Sequence, residues 1–190
     1  MFRDLLLKRC SLSSTQLDQL EQHYELMLKW NKVINLTRIE RIEEVVDRHY
    51  AESLFLGSKL PVGLISVADL GSGAGFPGIP IAVLRPEARI TLIESHQRKA
   101  VFLKEACRGL PNVSVESKRA EHIAARFDWV VCRAVRWEEI GNVAFRLAPR
   151  VGFLGDATPE DVAARRIPLP WDEHRGITIV SRETLSSCST

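Results

Sequence analysis

Apolar residues recur at helical spacing through the first third of the chain and gather into short strand-like runs beyond it. Leu17, Leu20, Tyr24, Met27 and Leu28 keep the three- and four-residue step of one helix face, and Trp30 closes the segment. Ser13, followed three residues later by Gln16, supplies the capping-box signature of its start. A second helix is predicted over 43–60, with Val45, Val46, Tyr50, Leu54 and Leu56 as its apolar set and Pro61 and Gly63 to stop it. From Leu64 the rhythm changes. Residues 64–70 form a buried strand, a glycine-rich turn follows, and a short helix is expected over 79–84. Further strands are expected over 89–94, 113–115, 128–132, Arg150–Leu154 and 176–180, with helices over 97–108 and Trp137–Leu147. Strands alternating with helices at this interval predict an α/β fold built on a mostly parallel sheet covered on both faces. The chain then divides into a helical segment, 1–62, packed on an α/β domain, 63–190, the two making one structural unit.

Composition narrows the class. With 190 residues, 45% hydrophobic and 26% charged, the chain suits a full core and excludes a disordered tail, a collagen-like fibre or a disulfide-dense miniprotein. Cys10, Cys107, Cys132 and Cys188 show no C-x-x-C spacing, and the five histidines are scattered, so no metal is expected. The apolar run at the N-terminus stops at Leu7 without a small-residue cleavage site. No uncharged run approaches the roughly 18 residues of a membrane span. The expectation is a soluble, cytoplasmic protein with no membrane association. A net charge of +2 hides an asymmetry, because residues 96–150 carry eleven Lys/Arg against six acidic residues. That excess suits either solvated helix faces or a polyanionic partner.

The stretch Asp69-Leu70-Gly71-Ser72-Gly73-Ala74-Gly75-Phe76-Pro77-Gly78 carries the most chemistry. Glycines at alternate positions after a buried strand let the backbone turn sharply and approach a ligand, at the strand end where open α/β sheets bind them. Two ligand classes compete. A dinucleotide motif read from Gly71 fails at Phe76; read from Gly73 it matches Gly75 and Gly78 but starts further from the strand. Pro77 removes an N–H that a pyrophosphate would need, and Asp69 sets a carboxylate where a cationic ligand is welcome. Both features favour S-adenosylmethionine, which has an ammonium and a sulfonium but no phosphate. Glu94, at the end of the second strand, suits the ribose of either, so on these residues alone a nicotinamide-dependent oxidoreductase stays open.

Six further strings run in a recognisable order: Trp30-Asn31-Lys32-Val33-Ile34-Asn35-Leu36-Thr37, Arg48-His49, the run from Asp69 to Pro80, Ile93-Glu94-Ser95, Arg119-Ala120-Glu121 and Cys132-Arg133-Ala134. Together they closely resemble the bacterial family once called glucose-inhibited division protein B, the 16S ribosomal RNA (guanine-N7) methyltransferase G family, over nearly the whole chain. The resemblance implies a class I, Rossmann-like methyltransferase fold with an N-terminal helical extension. It implies S-adenosylmethionine-dependent methylation of N7 of a guanine in the 530-loop region of 16S ribosomal RNA. The partner is then that RNA or the small ribosomal subunit, and the protein a monomer. Residue by residue, Asp69, Gly71, Gly73, Gly75 and Phe76 match the cradle of the cofactor's methionine end, and Glu94 its ribose ligand. Ala120 and Glu121 match the pair flanking the adenine, and Arg133 the active-site arginine, which also touches the cofactor. Asn35, His49, Arg119 and Arg175 match polar residues near RNA or cofactor. The sequence departs from the family in two places. His49-Tyr50-Ala51-Glu52-Ser53 has Glu where Asp is usual, and Phe153-Leu154-Gly155-Asp156 lacks the lysine usual after the fifth strand.

Guanine N7 offers a free lone pair and no proton, so the implied reaction needs positioning and electrostatics, and no general base. Plainer roles compete at each position. Arg133 could pair with Asp128 or Glu94, His49 could be a packing histidine, Trp30 a helix-packing residue, and Asn35 a turn cap. A relative that binds RNA without turnover is the alternative from another functional class.

Overall fold

The computed structural model describes residues 1–134, 136–155 and 163–182. Two N-terminal helices, α1 (Phe2–Leu7) and α2 (Ser14–Asn31), lead in. The capping box forms in full: Gln16 N–H donates to Ser13 Oγ at 3.3 Å, and Ser13 N–H donates to Gln16 Oε1 at 2.9 Å. The second predicted helix is three pieces. A single turn, α3 (Ile42–Glu44), runs through a π-helical stretch (Val45–Ala51) into α4 (Glu52–Lys59). The wider π turn gathers the buried Val45, Val46, His49, Tyr50 and Ala51 closer to one face than a regular 3.6-residue repeat would.

Four βα steps follow. β1 (Ser66–Leu70) is succeeded by α5 (Gly78–Leu84), β2 (Arg89–Ile93) by α6 (Gln97–Ala106), and β3 (Val113–Glu116) by a 3₁₀ turn at Ala120–His122. β4 (Trp129–Arg133) leads to α7 (Trp137–Leu147) and β5 (Arg150–Leu154), and the sheet ends with β6 (Ala163–Leu169) and β7 (Asp172–Ser181). The strand order is β3-β2-β1-β4-β5-β7-β6. β1 to β5 are parallel; β7 runs antiparallel beside β5, and β6 antiparallel beside β7. β6 has no counterpart in the sequence reading. Its Arg165, Arg166 and Pro168 break any alternation of apolar residues, as the exposed edge of a sheet allows.

Period-two alternation splits the core between the two faces. Val67, Ile90, Leu92, Val131, Leu154 and Ile177 pack with the helices before β1 and with α5 and α6. Ala68, Leu70, Ile93, Val130, Cys132 and Phe153 pack on the other face, with Ile140, Ala144 and Leu147 of α7. Phe2, Leu20 and Tyr50 of the first 62 residues belong to the same buried cluster as the sheet residues of the first face. The chain crosses over between β1 and β4, so the carboxyl ends of β1, β2 and β4 open onto the crevice where such sheets bind ligands.

Candidate active site

Beyond Leu70 the backbone stays tied to the second strand, since Gly71 and Ser72 N–H both donate to Ile93 O, at 2.9 and 3.2 Å. Gly71 and Gly73 take φ of +70° and +54°, the left-handed region that glycine reaches without strain. A Cβ on Gly71 would meet nothing within 4 Å, and one on Gly73 only the Gly71 carbonyl oxygen at 3.7 Å. Both glycines therefore face open space. Gly75 and Gly78 face inward: a Cβ would come within 2.5 Å of Ile79 on the first and 2.2 Å of Leu92 on the second. The loop has an open side and a core side.

Two carboxylates hold it from below. Glu94 accepts from Gly73 N–H (3.0 Å) through one oxygen and from His96 N–H (2.7 Å) through the other. Asp69 is fully buried beneath the loop, where Oδ2 accepts from Gly78 N–H at 2.9 Å while Oδ1 has no partner. Burial raises its carboxyl to about 7, against the Gly78 and Ser72 hydrogen bonds and with Glu94 adding to the rise. Asp69 thus anchors the start of α5 and does not line the opening.

A cavity of about 180 Å³ opens beside Gly71, lined by Leu70, Ile93, Arg119, Ala120 and Glu121 among others. Four of the positions singled out by sequence, Gly71, Arg119, Ala120 and Glu121, share it. On the far side of the loop Phe76 is buried and stacks face to face on His49, with centroids 4.6 Å apart. His49 bonds Arg133 through Nδ1 and Thr37 Oγ1 through Nε2 at 2.8 Å. Arg133 has only N–H groups to give, so Nδ1 accepts and Nε2 carries the proton. Burial first, then the Arg133 charge, lowers the imidazole to about 3, so it stays neutral in ordinary buffers. Burial also lowers Arg133, to about 10, with Glu52 opposing the shift and Arg175 and Arg48 adding to it. It remains a cation at neutral pH.

Several plainer readings are decided by these contacts. Asp128 accepts from Ser66 and Glu94 from the loop, and the hydrogen bond of Arg133 runs to His49. Asn31 caps the turn, its Oδ1 accepting from Leu36 and Thr37 N–H, and Asn35 does not. Exposed Asn35 instead lines a separate cleft of about 280 Å³ with Lys32, His96, Arg98 and Lys99. Trp30 packs edge-on against Phe102. Arg175 donates to the buried Glu52 carboxylate at 2.8 Å, linking β7 to the start of α4. Sequence reasoning missed Thr37 and Glu52 as partners of the cluster. Thr37 ends the Trp-Asn-x-x-x-Asn-Leu-Thr string, and Glu52 stands at the Glu-for-Asp departure, so both signals were present. Of the missing lysine, Phe153, Leu154 and Gly155 are described, and Asp156 lies outside the described residues.

Among the described residues no cluster of His, Cys, Asp and Glu could hold a metal ion, and no helix is long and apolar enough to cross a membrane. The fold is that of class I methyltransferases. It superposes on a magnesium protoporphyrin IX methyltransferase from Synechocystis, solved with bound S-adenosylmethionine, at a TM-score of 0.58 and 15% identity, covering 92% of this chain and 99% of that one. A ribosomal protein L11 methylase from Lactobacillus delbrueckii gives 0.55 at 14% identity, over 76% and 81%. Sequence relatives are nearer. The small subunit ribosomal RNA methyltransferase G of Nitrosomonas europaea is 46% identical over 61% of this chain and 55% of its own length. One from Syntrophobacter fumaroxidans is 39% identical over 74% and 67%. The matched region thus spans between half and two thirds of these relatives. The family model described as rRNA small subunit methyltransferase G matches residues 16–151. With more than half its length under that match, the chain belongs to the rRNA small subunit methyltransferase G family.

Proposed function

We propose that this chain transfers the methyl group of S-adenosylmethionine to N7 of a guanine in the 530-loop region of 16S ribosomal RNA. The observation that carries the cofactor reading is the allocation of loop donors. Gly78 N–H, at the start of α5, is already held by Asp69, and Gly73 N–H by Glu94. A pyrophosphate would find those donors occupied by carboxylates, which argues against the nicotinamide alternative. A cationic, phosphate-free ligand suits the same arrangement, with the open sides of Gly71 and Gly73 to receive it. In this reading Gly71 and Gly73 receive the methionine end on their open sides, while Gly75 and Phe76, turned to the core, and Asp69 beneath them hold the loop in shape. Glu94 takes the ribose, and Ala120 and Glu121 border the adenine.

S-adenosylmethionine supplies an electrophilic methyl group on a sulfonium. Because N7 has no proton to lose, the protein orients the base and excludes water. Arg133, at the end of β4, is the side chain assigned to the guanine. Its planar fork suits a bidentate contact with O6 or a phosphate, and neutral His49, braced by Thr37, fixes the fork by accepting one N–H. Arg119, at the cavity rim, and Asn35, in the cleft with Lys32, Arg98 and Lys99, are assigned to RNA phosphates near the site, and Arg175 supports Arg133 across Glu52.

The test is methyl transfer from labelled S-adenosylmethionine to 16S RNA and to small subunits from cells lacking the gene, with the product mapped by mass. One 7-methylguanine in the 530 loop is expected. Bound cofactor without transfer would leave the non-catalytic RNA-binding alternative, and methylation at another atom would overturn the N7 assignment.

A further inference from the structure

His23 stands on the buried face of α2, between Leu20 and Met27, where the helical spacing calls for an apolar residue. It is only 3% exposed, and both ring nitrogens are engaged. Nδ1 lies 2.8 Å from the Tyr50 hydroxyl, and Nε2 lies 3.0 Å from the carbonyl oxygen of Ala74, between Gly73 and Gly75. The direction of this chain is fixed by chemistry. A carbonyl only accepts, so Nε2 carries the proton, Nδ1 offers its lone pair, and Tyr50 donates to it. Tyr50, fully buried, is held in turn against the rings of Phe2 and Phe76. The Phe76 ring also meets His23 edge-on, at 5.3 Å.

The other hydrogen bonds of the loop run to β1, to β2, to Glu94, to α5, or within the loop itself. Among the described residues only the His23 bond reaches the loop from α2. We propose that His23, oriented by Tyr50, is a positioning residue for the cofactor loop, holding the Ala74 carbonyl so that Gly71 and Gly73 keep their open sides toward the ligand. This rests on the reading of that loop as the S-adenosylmethionine cradle. Burial keeps the imidazole near pKa 4, so the bond persists unchanged through the pH range of ordinary assays. A loop without it samples other backbone arrangements, and the apparent affinity falls by the fraction of time it is competent.

The experiment measures S-adenosylmethionine binding by calorimetry, with single-turnover methyl transfer at saturating cofactor, for wild type, His23→Phe, His23→Gln and Tyr50→Phe. Phe fills the volume but leaves the carbonyl without a donor; Gln sets an amide N–H near the place of Nε2. Affinity about tenfold weaker in His23→Phe, a largely preserved saturated rate, and recovery in His23→Gln are expected. Tyr50→Phe should fall between them. Nitrogen-15 NMR of the wild-type ring should show the Nε2–H tautomer unchanged between pH 5.5 and 8, a readout independent of turnover and of whether any variant folds. Wild-type affinity in folded His23→Phe, or an Nδ1–H tautomer, overturns the proposal. Wild type that binds no S-adenosylmethionine overturns instead the cradle reading on which it stands.

Discussion

Exchanging Gly73 for valine tests the loop where its two sides part. At φ +54° a side chain costs about 1–2 kcal/mol, and a Cβ there meets only the Gly71 carbonyl, at 3.7 Å. The strain is local and nothing in the protein is displaced. At about 2–4 °C per kcal/mol for a chain of this size, Tm should fall by roughly 2–8 °C. The valine methyls project into the opening, so affinity for S-adenosylmethionine should drop by at least about a hundredfold, roughly 2.7 kcal/mol. Gly78→Ala is the counterpart. Its Cβ would sit 2.2 Å from Leu92 and 2.7 Å from Asp69 Oδ2, so overpacking costs about 1–3 kcal/mol of stability without entering the opening. Calorimetric titration well below both melting temperatures separates the two. A folded Gly73→Val protein with wild-type affinity would refute the ligand side of the loop, whatever the fate of Gly78→Ala.

Arg133→Lys keeps the charge but loses the fork, so single-turnover transfer at saturating cofactor and RNA should slow by about 1–3 kcal/mol in transition-state terms with folding intact; a wild-type rate would return Arg133 to a packing role. RNA affinity should fall steeply with salt, and Lys99→Ala should flatten the log–log slope by about one unit; a salt-independent interaction would assign those charges to ordinary solvated faces. Asp69, raised from 3.8 to about 7 in the folded state, binds its proton more tightly there than when unfolded. Its contribution is therefore greatest below about pH 4 and is lost as pH rises toward 7. Asp69→Asn, which keeps an acceptor for Gly78 N–H, should remove a decline of roughly 2–4 kcal/mol across that window; parallel denaturation curves at pH 4.5 and 7.5 would exclude it.

What could be read from the chain follows from how local each signal is. The buried strands and the loop after β1 announce themselves through short apolar runs and alternating glycines, and α7 falls on its predicted bounds, Trp137–Leu147. Glu94 was legible because it ends such a run, and Arg133 through the resemblance carried by Cys132-Arg133-Ala134. β6 was not, because an edge strand need bury almost nothing, and its hydrogen bonds come from β7. The His49–Arg133 contact joins residues 84 apart, and the partners of Arg133 proposed from sequence, Asp128 and Glu94, were nearer in the chain but committed elsewhere. Asn31 and Asn35 are both asparagines of one short string, and only packing decides which of them caps.

The π-helical stretch holds one residue more than an α-helix would need to make the same advance. Deleting a residue from it would let the ladder close as ordinary α-helix, and what precedes the deletion would keep nearly the same phase relative to α4. Within α4 there is no surplus residue, and the same deletion would turn everything before it by about 100°. A library of single deletions should therefore find the stretch around exposed Arg48 more forgiving than the regular helix beside it. Spare length, held as a wide turn, is a tolerance that no substitution would reveal.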